Sequence, residues 1–165
     1  MLSLALGIGA NSAIYSFIDA ILLRGLPVPD PESLAVLNWH SKSIRGRNFV
    51  MHGMSGSTWD DPQLGVKSGI FPYPAFELFE KNSSVFSSVF AYHRARALNV
   101  MVKGQADLAN GEYVSGGYFR GLAVPPAAGR LIGPGDDRLG APSVAMVSFA
   151  FSERRFGGPA NAAGQ

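Results

Sequence analysis

The start of the chain is its strongest constraint. MLSLALGIGANSAIYSFIDAILLRGL, residues 1–26, carries no charged side chain through Ile18, and only Asp19 before Arg24. A helix rises about 1.5 Å per residue, so about 20 mostly apolar residues cross a bilayer. This run approaches that length and begins at residue 1 with no lead-in. It reads as a transmembrane helix, or as the outer part of one whose beginning is missing. A secretory signal peptide fits poorly, because the segment lacks a positive leader and stays apolar past any cleavage site. A buried helix of a soluble protein is the remaining reading.

The helix carries two rows of small residues at four-residue spacing: Ala5, Gly9 and Ala13, and Ser12, Ser16 and Ala20. Small side chains let helices approach closely in lipid, where apolarity alone drives no association. These six are the candidate helix-packing positions. Small residues are also common in membrane helices generally, so both accounts stand.

After Arg24 the chain changes character. Pro27, Pro29 and Pro31 alternate with other residues, fixing φ and removing donors, so the helix cannot continue. Residues 27–165 are then long enough for one domain with its own core. Charged residues make up 16% of the 165, below the usual quarter, and the apolar start accounts for much of the deficit. Net charge is +2. The local basic clusters, Lys42 with Arg45 and Arg47, and Arg154 with Arg155, lack the interleaved aromatics of a nucleic-acid surface, so no nucleic-acid partner is expected. With no cysteine, disulfides and thiolate chemistry are excluded.

Residues 33–39 read as a short central strand, and residues 40–69 as a long polar loop or insert without any period. Residues 74–81 form a short amphipathic helix with Phe76 and Phe79 on one face. Leu98, Val100 and Val102 alternate with Asn99, Met101 and Lys103 as a strand does. A turn over 103–106 and a return strand over 107–114 follow. Ser115 is placed to cap a short helix holding Tyr118, Phe119 and Leu122, ended by Pro125-Pro126. A Gly/Pro/Asp-rich connection over 129–142 leads to a buried-looking strand at 143–148 and a helix at 149–156, stopped by Gly157-Gly158. The abrupt polar end suggests truncation at the C-terminus as well as the N-terminus.

No catalytic, cofactor-binding or metal-binding constellation emerges. Gly7-Ile8-Gly9-Ala10-Asn11-Ser12 falls one glycine short of a dinucleotide loop and sits in an apolar helical run with no strand before it. Gly53-Met54-Ser55-Gly56-Ser57 lacks the final glycine of a nucleophile elbow. His40, His52 and His93 have no ligand spacing. Asp136-Asp137 after Gly135 lacks the alternating oxygens of a calcium loop, and a turn explains it. There is no P-loop motif.

The order of segments carries a resemblance. Residues 4–14, running on to Leu22-Leu23-Arg24-Gly25-Leu26-Pro27, resemble the first transmembrane helix of MacB/FtsX-type ABC transporter permeases, most closely the duplicated orphan permease group common in acidobacteria. Several later motifs resemble the MacB-like periplasmic core domain: Tyr113-Val114-Ser115-Gly116-Gly117-Tyr118-Phe119, Gly129-Arg130, Asp136-Asp137, Val144-Ala145-Met146-Val147-Ser148 and Arg154-Arg155-Phe156-Gly157-Gly158. The family has Asn where Gly117 stands and Gly-Val where Ala123-Val124 stand; both look like tolerable changes.

The resemblance implies an α+β fold with βαβ-type units: a transmembrane helix (1–26), then an extracytoplasmic core domain (27–165) with the polar insert at about 40–69. It marks Ser115, Gly116, Tyr118, Phe119, Gly129, Arg130, Arg155, Phe156, Gly157 and Gly158 as structural positions. It implies a non-catalytic permease in the inner membrane, without a cofactor. The partners would be a cytoplasmic ABC ATPase subunit and a second permease copy or paired permease. Its outer domain would couple ATP hydrolysis to export or to extracytoplasmic mechanical work. Arg24, Lys42, Arg45 and Arg47 after the helix mildly favour the opposite orientation, but long domains translocate largely regardless of charge. The alternative is a membrane-tethered ligand-binding or sensor domain, with Tyr73, Tyr92, Tyr113 and Tyr118 lining a pocket.

Overall fold

The computed structural model describes residues 2–18, 25–42 and 58–165. They fall into two compact units, Met1–Ala35 and Val36–Gln165. Helices and two small antiparallel sheets make the fold α+β.

The first unit holds helix α1 (Leu2–Ile18), which is 17 residues long and carries no charged side chain. At about 1.5 Å per residue it extends roughly 25 Å, short of the roughly 30 Å of bilayer hydrocarbon. Among the described residues no helix is long and apolar enough to cross a membrane. The rest of the expected span, residues 19–24, lies outside the described residues. The proline segment behaves as its composition demands. A 3-10 turn at Pro31–Ser33 is closed by Ser33 Oγ donating to Asp30 O (3.0 Å), and Leu34 leaves it extended.

The second unit opens with a three-stranded sheet in the order β1-β3-β2, all antiparallel: β1 (Trp39–Ser41), β2 (Thr58–Asp61) and β3 (Gly65–Ser68). Two sequence expectations change here. The strand foreseen at 33–39 is only three residues long, begins at Trp39 and lies at an edge. The foreseen loop at 40–69 contains a hairpin, while residues 43–57 lie outside the described residues. Asp61 builds its turn: one carboxylate oxygen accepts the N–H groups of Gln63 and Leu64 (2.9 Å each), and the other accepts from Lys67 Nζ (3.3 Å). Those backbone bonds, then the Lys67 charge, hold its pKa below the ordinary value. Gly65 (φ +84°) is required, because a Cβ would lie 2.5 Å from Ser41 O on β1.

Helix α2 (Tyr73–Asn82) buries Phe76, and Phe79 meets Phe71 edge to face at 5.2 Å. Strands β4 (Tyr92–Val102) and β5 (Gln105–Val114) form a long hairpin. Val102 is buried, Leu98 and Val100 are half-buried, and Asn99 and Met101 face outward, so the alternation read from the sequence holds. The turn is tighter than foreseen. It has two residues, Lys103 (φ +49°) and Gly104 (φ +76°), and the two positive φ angles are those of a type I′ turn. A register shift between Ala95 and Leu98 is accommodated by Gly111, where a Cβ would strike the Leu98 side chain.

Three more helices follow: α3 (Tyr118–Gly121), α4 (Phe149–Phe156) and α5 (Pro159–Ala162). Helix α4 has the foreseen bounds, with Ser148 Oγ accepting the Phe151 N–H and Gly157 closing it at φ +75°. The strand foreseen at 143–148 has no ladder and is largely exposed. The βαβ units implied by the resemblance are therefore not present among the described residues. A parallel strand needs a partner supplied from elsewhere in the chain, and alternating side chains alone do not provide one.

Candidate functional site

Burial is unusual in kind. Among the described residues the buried apolar side chains are Phe76, Ala95 and Val102, and beside them three serines are buried: Ser68, Ser115 and Ser152. Each hydroxyl is bonded to backbone. Ser68 Oγ accepts from Ile70 N–H (3.2 Å), Ser115 Oγ accepts from Ala91 N–H (2.9 Å), and Ser152 Oγ donates to Phe149 O (2.7 Å). Specific polar ties thus supplement a thin apolar core.

The motif residues gather around one such set of ties. Ser115 does not cap α3 with its side chain, as the sequence suggested; its hydroxyl and its N–H both go to Ala91, extending the hairpin pairing by one residue. Gly116 lies so close to Gly133 and Pro134 that a Cβ would sit 2.5 Å from Gly133 O. Its N–H donates to Asp137 Oδ2 (3.1 Å), and Tyr73 Oη donates to Asp137 Oδ1 (3.2 Å). One carboxylate therefore joins α2, the turn after β5 and the 129–142 connection. Desolvation first, then the Asp137 charge, raises the Tyr73 pKa.

The neighbouring Asp136 closes the connection on itself. Arg130 forks onto it, Nη1 to Oδ2 (2.6 Å) and Nη2 to Oδ1 (2.7 Å), and the Gly133 N–H donates to Oδ2 (2.8 Å). The Arg130 hydrogen bond and then the Gly133 N–H hold the Asp136 carboxyl at about 2. Tyr118 packs edge to face on Phe90 (5.5 Å) and Phe119 (5.2 Å). Burial, and secondarily Glu112, raises its pKa.

Helix α3 ends in a Schellman motif: Ala123 N–H bonds Arg120 O and Val124 N–H bonds Phe119 O, both at 3.0 Å. Ala123 stands at φ +54°. The expected Gly-to-Ala exchange at this position is thus a strained one, because the motif asks for the left-handed region that glycine occupies freely.

Arg155, Phe156, Gly157 and Gly158 form a second, separate group at α4. Arg155 reaches the hairpin, with Nε 3.6 Å from Asp107 Oδ2 and Nη2 donating to Gln105 O (3.4 Å). Asn161 Nδ2 donates to the carbonyls of Phe156 and Gly157. Gly129 (φ +74°) lies against Ala163. On α1, Gly9, Ser12, Ala13 and Ser16 are exposed, and nothing lies within 4 Å of a Cβ placed on Gly9. The side chain of Ala5, and Ala20 altogether, are outside the described residues.

The four tyrosines are not collected into one pocket. Tyr92 and Tyr118 adjoin (6.2 Å), Tyr73 is held by Asp137, and Tyr113 is exposed. Among the described residues no group of three or more His, Asp or Glu is arranged to hold a metal. Sequence reasoning offered Tyr73 as a pocket residue and Asp137 as part of a turn, and missed the tie between them, because the two partners of Asp137 are 64 and 21 residues away.

The ordered motifs therefore brace backbone rather than aim reactive groups at a cavity. A family model described as the MacB-like periplasmic core domain matches residues 1–165. The chain belongs to that family. Its members are domains of ABC transporter permease type. No curated protein and no solved structure matches this chain. Within a MacB-like core domain, the Gly116–Asp137–Tyr73 tie, the Arg130–Asp136 fork and the Schellman turn give the motif residues a structural use.

Proposed function

We propose that this chain is the non-catalytic outer part of an ABC transporter permease, carried on an N-terminal transmembrane helix that continues past α1. ATP is hydrolysed by a separate cytoplasmic subunit. The outer domain, paired with a second permease copy, converts the resulting movement into export or mechanical work outside the membrane. The small-residue rows of α1 are its helix-packing surface in this reading.

The observation that supports the reading best is the family match along the whole of residues 1–165, apolar helix included. The use of the motif side chains agrees with it: Asp136, Asp137 and Arg130 are spent on backbone, on Tyr73 and on each other. A domain that transmits force needs such ties, because displacement passes only through elements that stay connected.

The test uses the absence of cysteine from these 165 residues, any cysteine elsewhere in the full-length protein being replaced first. A full-length Gly135→Cys protein, at a position where an added Cβ meets nothing within 4 Å, is placed in membrane vesicles with its ATPase. Thiol-labelling rates are compared without nucleotide and with ATP trapped by vanadate. A nucleotide-dependent rate is expected. Identical rates, with hydrolysis shown to be active, would contradict coupling through this domain.

A further inference from the structure

One asparagine of the chain, Asn82, opens an Asn-x-Ser triplet, Asn82-Ser83-Ser84, with no proline in it or directly after it. This is the acceptor pattern of N-linked glycosylation, in which the asparagine amide and the hydroxyl two residues on are read together. Glu80 adds a carboxylate two residues ahead of the asparagine, the position that bacterial transferases of this class read with a cation. The fold presents the whole pattern at the surface. Asn82 is the last residue of α2, Ser83 leaves the helix extended (φ −82°, ψ 103°), and residues 83–91 run on without helix or strand. Glu80, Asn82 and Ser84 are all exposed. Asn82 Nδ2 donates to Leu78 O (2.8 Å), an exposed bond at a helix end whose release costs about 1 kcal/mol. Leu78 and Val85, on either side of Asn82 in sequence, are 60% and 82% exposed.

We propose that Asn82 is the acceptor of an N-linked glycan, transferred from a polyprenyl-diphosphate-linked oligosaccharide by a membrane oligosaccharyltransferase. Nδ2 bonds to C1 of the reducing-end sugar and gives up one proton to the transferase; the bond from C1 to the phosphate oxygen breaks, and polyprenyl diphosphate leaves. A glycan here stands beside Leu78 and Val85 and keeps their apolar surface from associating with other chains. Such transfer takes place outside the cytoplasm, so in the cell it rests on the outer placement of residues 27–165 proposed above.

The test weighs peptides spanning Asn82 from the full-length protein purified from its own membranes. They are expected to carry a glycan mass, and a bare Asn82 overturns the proposal. Two further arms separate the acceptor from the placement. The full-length protein is made in host cells that hold a bacterial oligosaccharyltransferase and its lipid-linked oligosaccharide, and the same purified pair is applied to the protein in detergent, where both sides of the membrane are open. Modification in both is expected. Modification in detergent alone contradicts the outer placement and not the acceptor; modification in neither overturns the acceptor and leaves the placement standing. In detergent, Ser84→Thr should be modified as the parent is, whereas Asn82→Gln and Ser84→Ala should lose the glycan. Glu80→Gln should slow transfer by about tenfold, the scale of one charge-assisted hydrogen bond. All four positions changed are exposed or at the helix end, so folding is preserved. A glycan that survives Asn82→Gln lies elsewhere and overturns the proposal.

Discussion

Ala123 shows how a single backbone angle changes the reading of a substitution. As a family departure near a short helix it looked neutral, yet its φ of +54° places it in the left-handed region. Ala123→Gly is expected to stabilise the protein by about 1 kcal/mol in a denaturant melt; a loss of stability would remove the strain argument. The Asp136 carboxyl, held at about 2 by Arg130 and Gly133, makes a prediction with a definite sign. Its pKa is lower folded than unfolded, so its stabilisation is present above about pH 4 and lost as pH falls toward 2. Asp136→Asn should therefore flatten the acid limb of a Tm-versus-pH profile over that window, and parallel limbs would count against the fork. Tyr73 runs the other way. Its raised pKa makes a contribution that is complete below pH 10 and lost as the pH rises through the folded value. None of these roles was legible in sequence, because each depends on a backbone angle or on a partner brought close by folding.

Local elements were legible where local chemistry decides them. Helix α4 was foreseen with its observed bounds because its stop signal, Gly157-Gly158, lies in the sequence beside it. The β4–β5 hairpin was foreseen because period-2 alternation survives over its long strands. Strands β2 and β3 were missed because four residues each give too few alternations to register, and Gly65 is needed only once β1 lies against it. The stretch at 143–148 failed in the opposite sense: its pattern suits a strand, but a strand exists only with a partner. The type I′ turn gives a test at this level. Gly104→Ala puts a Cβ at φ +76° and should cost about 1 kcal/mol, whereas Lys103→Asn, better suited to φ +49°, should give a modest gain. Equal melting temperatures for both variants would contradict the turn assignment.

Across the whole molecule, family membership was readable from the order of weak motifs, whereas the geometry that joins them was not. Among the described residues the buried interior is small and is reinforced by serine and aspartate ties to backbone, while α1 exposes Ile14, Tyr15 and Phe17. The most direct measurement of where the following domain sits again uses the absence of cysteine from residues 1–165, in a full-length protein whose other cysteines, where present, are replaced. Leu139 is fully exposed, so Leu139→Cys in the full-length protein offers a thiol to any reagent on its side of the membrane. Spheroplasts carrying this variant are treated with a membrane-impermeant maleimide, before and after lysis. An outer domain is labelled fully before lysis, with no gain afterwards. Labelling that appears only after lysis would place residues 27–165 on the cytoplasmic side and contradict the permease reading.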